Sequence, residues 1–349
     1  MSDPAGIYKT LVIDAVVEEV EGFKTIVFKN GHGISYKSGQ YLTLVRFENR
    51  EEQRRSYSII SSPQLNEPLS IGVKRVANGV FSRWLVDRAK PGDEILTTGS
   101  GGFFMLPDDT ISYNQLFFFA AGSGITPVYS LLKTALYAYP HLSLVLVYSN
   151  ASAGKTIFLK DLQHLQEQFP KQLKIHFLFS NAADLSRARL NRDLLLSLLA
   201  QYGVSTNDQR LFYVCGPESY MRLCIYTLQA EGIPPAFIKK ENFYFSAVKK
   251  RDVAPDDNAD HQVTIQLKNG SFSFVVHHPD SILKAAKKQS VHLPYSCETG
   301  RCGSCVALCS KGKVWHSYNE VLTEKELTQG LVLTCVGHPD KSDLVLEIR

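Results

Sequence analysis

The sequence predicts a multidomain chain: a small antiparallel β-barrel, then an α/β unit on a parallel sheet, then a compact α+β unit. Three observations predict it. Short β-rich runs broken by glycine turns fill the first 108 of 349 residues. From residue 109 the rhythm changes to alternating strand and helix. Near the end, Cys297, Cys302 and Cys305 stand at C-x4-C-x2-C spacing, and Cys335 follows at a distance. The chain is too long for one ordinary core. We expect boundaries at 1–108, 109–245 and 261–349, with a linker over 246–260.

In the first segment Leu11–Val20, Thr25–Lys29 and Tyr41–Phe47 read as strands. Glu21-Gly22, Asn30-Gly31 and Ser38-Gly39 supply the turns between them. Strands this short and closely spaced suit a small barrel. One helix interrupts them, running from Phe81 to Val86 between Asn78-Gly79 and Pro91-Gly92-Asp93.

In the second segment strands are expected at Gln115–Ala121, Leu142–Tyr148, Leu173–Phe179, Arg210–Val214 and Ala236–Glu241. Helices are expected at Pro127–Tyr139, Ile157–Phe169, Asn191–Tyr202 and Glu218–Glu231. Such alternation implies a parallel sheet covered on both faces.

Ser246–Asp260 has few apolar residues and reads as a linker. After it, Val263–Leu267 and Phe272–Val276 flank Asn269-Gly270, a hairpin signal. A helix over Ser281–Lys288, the cysteine loop and a strand around Val306 follow. A short helix over Glu324–Gln329 and strands at Leu331–Cys335 and Leu344–Ile348 end the chain.

Composition excludes several classes. The chain is 44% hydrophobic and 21% charged, as soluble globular proteins are. Net charge is +4, and Lys249-Lys250-Arg251 and Lys287-Lys288 are short runs that read as solvated faces, so no nucleic-acid partner is expected. The longest apolar run, Leu116–Ala121, is far too short to span a membrane, which takes about 20 residues. The N-terminus lacks a signal pattern. The seven cysteines are clustered and odd in number, pointing to metal binding in a reducing cytoplasm rather than to disulfides.

Four motifs carry chemistry besides their plain structural readings. C-x4-C-x2-C with a remote fourth cysteine is the ligand spacing of a plant-type [2Fe–2S] centre; structural zinc is the alternative. Gly300 and Gly303 let the loop turn tightly and point N–H groups at the cluster's sulfides. Cys309, four residues beyond Cys305, could be a rival ligand but reads as part of the strand leaving the loop, and Cys224 reads as core. Arg55-Ser56-Tyr57-Ser58 is the second motif, with Val73-Lys74 and Gly79-Val80-Phe81-Ser82 downstream. Gly79–Ser82 opens a helix where N–H groups favour a phosphate, and Arg55 could clamp it. Third, Ala121-Gly122-Ser123-Gly124-Ile125-Thr126-Pro127 runs from a buried strand into a helix with Pro127 near its first position, a turn suited to a dinucleotide pyrophosphate. It departs from G-x-G-x-x-G. Fourth, Cys215-Gly216-Pro217 lies at a strand end, where it is either a ligand crevice or an ordinary turn.

Together, R-x-Y-S, G-x-x-S, G-x-G-I-T-P and C-G-P, in this order, resemble the ferredoxin–NADP(+) reductase superfamily, with a plant-type ferredoxin fused at the C-terminus. Within it the order flavin, nucleotide, iron–sulfur resembles the reductase components of multicomponent oxygenases. The resemblance implies an FAD-binding barrel (FMN is the lesser choice), an NAD(P)-binding α/β domain and a β-grasp ferredoxin domain. Arg55, Tyr57 and Ser58 would meet flavin phosphate, ring and N5 edge, with Val73 and Lys74 nearby. Gly79, Phe81 and Ser82 would sit at the flavin pyrophosphate. Gly122, Gly124, Thr126 and Pro127 would line the dinucleotide. Cys215, Gly216 and Pro217 would set the nicotinamide beside the flavin, and Glu241 and Phe243 match the E-x-F that closes the nucleotide domain. Cys297, Cys302, Cys305 and Cys335 would hold the cluster. Tyr57, Ser58 and Cys215 are the candidate catalytic residues.

Two departures limit the resemblance. After the third nucleotide strand, Ser180 is followed by Asn181 where NADPH-selecting members often carry arginine, although Arg187, Arg189 and Arg192 follow. The choice between NADH and NADPH stays open. The tail carries ten Lys/Arg against eight Asp/Glu, so it is not expected to dock on a strongly basic partner. The implied activity is electron transfer from NAD(P)H through FAD and a [2Fe–2S] cluster to a terminal oxygenase or another one-electron acceptor protein. No acid–base triad is required, and His32, His141 and His316 read as ordinary residues. The rival readings are a stand-alone reductase of small soluble acceptors and a non-enzymatic redox or metal-binding module.

Overall fold

The computed structural model describes residues 8–48, 51–184, 188–203, 209–243, 255–267 and 270–348. Two compact units result, Tyr8–Tyr244 and a C-terminal unit over Phe245–Arg349.

The first unit begins with β1 (Lys9–Val20), β2 (Phe23–Phe28), β3 (Tyr41–Glu48), β4 (Glu51–Ser58), β5 (Ser70–Lys74), α1 (Val80–Asp87) and β6 (Glu94–Gly101). The strands form one antiparallel sheet in the order β4-β3-β6-β1-β2-β5. A bridge between Ile59, just beyond β4, and Ile71 of β5 joins the two ends and closes the barrel. Alternate residues such as Leu11 and Ile13 point inward, and Phe81 and Leu85 of α1 share that core. β4 lacks an apolar rhythm. It reads Glu-Glu-Gln-Arg-Arg-Ser-Tyr-Ser, and pairing with β3 along its length makes it a strand.

An α/β domain follows: β7 (Gln115–Ala121), α2 (Ile125–Ala138), β8 (Ser143–Asn150), α3 (Leu159–Gln168), β9 (Leu173–Phe179), α4 (Arg192–Tyr202), β10 (Arg210–Cys215), α5 (Glu218–Ala230) and β11 (Ile238–Glu241). All neighbours pair parallel, in the order β11-β10-β7-β8-β9. Every residue of β7 and β10 is buried, as expected of central strands covered on both faces. Leu116, Phe118 and Ala120 pack toward α2 and α3, whereas Phe117 and Phe119 pack toward α4 and α5. Phe23, Ile60 and Phe104 of the barrel join the first of these cores. The chain reverses direction of winding between β7 and β10, so a ligand crevice opens at their C-terminal ends. One expectation is corrected: α2 starts at Ile125 after a 3-10 turn over Gly122–Gly124, which puts Pro127 third in the helix rather than first. Its missing N–H is still one of the donors that a first turn leaves unpaired.

The C-terminal unit contains β12 (His261–Leu267), β13 (Gly270–Val276), α6 (Ile282–Lys288), β14 (Val306–Lys311), β15 (Val314–His316), α7 (Glu324–Thr328), β16 (Leu331–Leu333), β17 (Gly337–Pro339) and β18 (Leu344–Glu347). Its main sheet runs β13-β12-β18-β14-β16, with β12 and β18 parallel and the other pairs antiparallel. Ser281 caps α6 by accepting the Lys284 N–H, and Ile282, Leu283, Ala285 and Ala286 bury its inner face. This is the expected β-grasp. β15 and β17 form a small extra pair that the sequence did not suggest. Asn269 of the expected turn lies outside the described residues, as do residues 246–254 of the expected linker.

The end of that linker is fastened to this unit. One Asp257 carboxylate oxygen takes hydrogen bonds from His261 Nε2 and the Lys341 N–H, both at 2.6 Å. The other accepts the Ala259 N–H at 3.0 Å. These contacts, the Ala259 N–H first, hold the Asp257 carboxyl down to about 2. Among the described residues no helix is long and apolar enough to cross a membrane.

Candidate flavin, nucleotide and iron–sulfur sites

β10 and β11 end in register, with Cys215 opposite Glu241. Ser58, the last residue of β4, comes to the same place from the barrel. Cys215 is fully buried and Ser58 nearly so. Burial pushes the Glu241 carboxyl up to about 8, against a smaller downward pull from the nearby Ser58 hydroxyl. No hydrogen bond of normal geometry joins them: Ser58 Oγ and Glu241 Oε2 are both buried without a partner. Burial, and then the Glu241 charge, also drive the Cys215 thiol well above its ordinary range. The site therefore gathers a neutral thiol, a carboxyl poised near neutral pH and a hydroxyl, two of them with unused hydrogen-bonding capacity. Such orphans are costly and call for a polar ligand. The polar edge of a flavin ring fits that need.

The two glycine turns meet beside this site. A Cβ on Gly124 would lie 2.2 Å from the Cys215 carbonyl oxygen, and one on Gly216 would lie 3.0 Å from Ala121 Cβ. Only glycine allows the strand ends to approach so closely, and the result is a cradle lined by backbone. Gly122 takes a positive φ of 54°, and Tyr148 Oη donates to its carbonyl at 3.0 Å. Thr126 and Pro127 are buried in the first turn of α2, and Thr126 Oγ1 donates to the Ser123 carbonyl.

The remaining barrel residues divide. Tyr57 is half-buried, its ring 6.1 Å from that of Phe81, and burial raises its phenol pKa. Arg55 is exposed and donates to the Arg54 carbonyl at 2.7 Å. Ser82 Oγ accepts the Val76 N–H and donates to the Gly79 carbonyl, both at 3.2 Å, so it closes the turn before α1. A Cβ on Gly79 would sit 2.5 Å from that hydroxyl. Val73 is wholly buried inside the barrel, so only its backbone can face a ligand, whereas Lys74 beside it is exposed. Phe243 is 38% exposed just beyond β11.

Two residues that the sequence reading missed belong on this rim. Ser149 Oγ and Asn150 Nδ2, at the C-terminal end of β8, are buried without a hydrogen-bond partner. Their place at a strand end next to the winding reversal was the available signal.

In the C-terminal unit the four cysteines form two pairs, and among the described residues no three metal-ligating side chains gather around one point. Cys305 and Cys335 lie 3.2 Å apart, sulfur to sulfur. That is too far for a disulfide bond of about 2.05 Å. Cys297 and Cys302 form the other pair, and the Cys302 S–H is the main cause holding the Cys297 thiol below its ordinary range. N–H groups aim at the cysteine sulfurs: Thr299 toward Cys297 at 3.4 Å, Ser304 toward Cys302 at 3.5 Å, and Gly300 toward Cys335. Gly300 and Gly303 have φ of 73° and 76°. Two thiols for each of two irons is what a [2Fe–2S] cluster requires, while a structural zinc takes all four around one point. Cys309 is apart from the pairs, its S–H directed at the Lys311 carbonyl on β14.

Comparison with known proteins agrees domain by domain. An oxidoreductase FAD-binding domain model matches residues 12–105, and an oxidoreductase NAD-binding domain model matches 118–225. A 2Fe-2S iron–sulfur cluster binding domain model matches 266–340. One of the subunits of 1,2-phenylacetyl-CoA epoxidase from Escherichia coli is 30% identical over 97% of this chain and 97% of its own length. The chain belongs to the ferredoxin–NADP(+) reductase superfamily. More narrowly, it is one of the superfamily members with a fused [2Fe–2S] ferredoxin domain. The ferredoxin reductase component of 3-ketosteroid-9-alpha-monooxygenase from Mycolicibacterium smegmatis is 31% identical, covering 94% of each chain. Phthalate dioxygenase reductase shares the fold, with a TM-score of 0.60 at 24% identity over 98% of each chain. This chain is an NAD(P)H-dependent oxidoreductase that uses FAD and a [2Fe–2S] cluster.

Proposed function

We propose that this chain is the reductase component of a multicomponent oxygenase, and that its partner is an oxygenase of the phenylacetyl-CoA epoxygenase (ring-1,2-epoxidase) type. The observation that carries the reading is that one chain holds both the buried Ser58–Cys215–Glu241 site and the four paired thiols. The Escherichia coli relative, part of a phenylacetyl-CoA epoxidase, matches it across both. When bound, the flavin and cluster together convert the electron pair of NAD(P)H into single electrons.

The chain's own residues do the positioning. Ser58 and Glu241 offer hydrogen bonds to the polar edge of the flavin, and Tyr57 packs against the ring. Arg55 and the Gly79–Ser82 turn serve its phosphates through a guanidinium and backbone N–H groups. Gly122, Gly124, Thr126, Pro127, Gly216 and Pro217 shape the dinucleotide cradle. Cys215 fixes the gap between the two ligands, a task for which a buried neutral thiol is suited. Cys297, Cys302, Cys305 and Cys335 hold the cluster.

The test is anaerobic titration with NADH and NADPH in parallel, then reconstitution with the diiron oxygenase of a phenylacetyl-CoA epoxygenase. Bleaching of flavin and cluster, followed by product from the oxygenase, supports the reading. A colourless protein that contains zinc would sink it. Turnover with a 3-ketosteroid monooxygenase but not with the epoxygenase would move the partner assignment to that class.

A further inference from the structure

We infer that a buried polar seam along α2 fixes the spacing between the flavin and nicotinamide motifs, and that Thr134 and Lys133 are positioning residues for flavin reduction. This rests on the ligand placements proposed above. α2 leaves directly from the Gly122–Gly124 turn. Farther along, it lies on the barrel segment that follows Ser58. Ser130 Oγ donates to the Ser61 carbonyl at 2.6 Å. Thr134 Oγ1 shares hydrogen bonds with Ser62 Oγ at 2.7 Å and Ser38 Oγ at 2.5 Å. Lys133 Nζ pairs with Glu67, whose carboxylate also accepts the Ser62 N–H at 2.7 Å. The Lys133 ammonium stands 4.5 Å from the centre of the Tyr129 ring.

Most of these groups are out of water: Ser130 and Ser62 are 0% exposed, Thr134 3% and Lys133 8%, while the Glu67 side chain stays 30% exposed. Tight backbone contacts flank them. A Cβ on Gly72 of β5 would meet Thr126 Cγ2 at 2.5 Å, and one on Gly39 would meet Leu131 Cδ2 at 2.8 Å.

Adhesion alone would not call for this chemistry. A buried lysine loses hydration, and each hydroxyl bond returns only a small net gain, because it replaces a bond to water. Apolar side chains of similar size would hold the domains together at least as well. Hydrogen bonds add direction. They fix the position of α2 along the barrel, whereas apolar contacts tolerate sliding. Thr134 is ten residues from Gly124, roughly 15 Å along a stiff helix. Ser62 is four residues from Ser58. A slip at the seam is therefore carried to both ligand motifs, and a misplacement of about 1 Å can cost on the order of 10²-fold in rate.

The test uses the full holoprotein with Thr134→Val alone and with Lys133→Met added. The limiting rate of flavin reduction by NAD(P)H is measured anaerobically by stopped flow, with apparent Kd, flavin content and the cluster spectrum as companions. The expected result is a limiting rate at least about tenfold lower in the double variant. Flavin content and cluster spectrum should be unchanged, Kd within about twofold, and Thr134→Ser should recover the rate. A wild-type rate in the double variant overturns the inference. So does a rate lost together with flavin that Thr134→Ser fails to restore. Ser58→Ala is run in parallel: if it reduces at the wild-type rate with flavin bound, the flavin placement has failed, independently of the outcome at the seam.

Discussion

Cys215 and Glu241 end adjacent parallel strands at the same level, and burial first, then the charge of the facing carboxylate, raises the thiol pKa. Ser58 completes the group from a different domain. Ser58→Ala should retain flavin but reduce it by NAD(P)H about 10²-fold more slowly, the usual cost of removing one oriented donor at a reacting centre. Stopped-flow absorbance checks this, and an unchanged rate would remove Ser58 from the site.

Glu241 gives a pH prediction with a definite sign. Its carboxyl titrates near 8 when folded, against an ordinary value of 4.5. Between those values the folded state keeps a proton that the unfolded state releases. Stability contributed by this group is thus present below about pH 4.5 and is lost as pH rises toward 8, by at most about 1.4 kcal/mol per pH unit. Glu241→Gln should flatten that slope. Urea unfolding of both proteins at pH 5, 6 and 7 tests it, and parallel pH dependences would show that the carboxyl is not held protonated.

Gly124→Ala introduces a Cβ 2.2 Å from a backbone oxygen that has little room to yield. We expect kcat/KM for NAD(P)H to fall at least tenfold while the flavin spectrum persists. Gly154→Ala, where a Cβ meets nothing within 4 Å, is the control. Equal kinetics in the two variants would disconnect the Gly124 cradle from the dinucleotide.

Cys302→Ser should abolish the [2Fe–2S] signal in electron paramagnetic resonance and with it transfer to the acceptor protein. Flavin reduction by NAD(P)H should remain within about twofold of wild type, because the cysteine pairs and the flavin site belong to separate compact units. Simultaneous loss of flavin reduction would contradict that division.

Much of this was legible in the residues. The apolar run Leu116–Ala121 marks a central strand because both its faces are covered, and the spacing of the cysteines marks the ligand loop. β4 was hard to read as a strand along its length, since its charged sequence becomes one only through its pairing with β3. The burial of Val73 depends on the barrel's closure, which local pattern does not encode. Spacing along the chain also left open which cysteines would pair. Ser149 and Asn150 carry no motif and gain meaning only from the order of strands around them.

Asp257 redraws the smallest piece of this protein that could be expected to fold alone. A fragment cut at His261, where the strand pattern begins, would discard the carboxylate that ties His261 and Ala259 to the Lys341 loop. A fragment cut at Pro255 keeps that knot. As an autonomous one-electron carrier, for fusion to another reductase or for study by itself, the shorter piece should unfold at lower temperature than the longer one, although both contain every strand and every thiol of the domain.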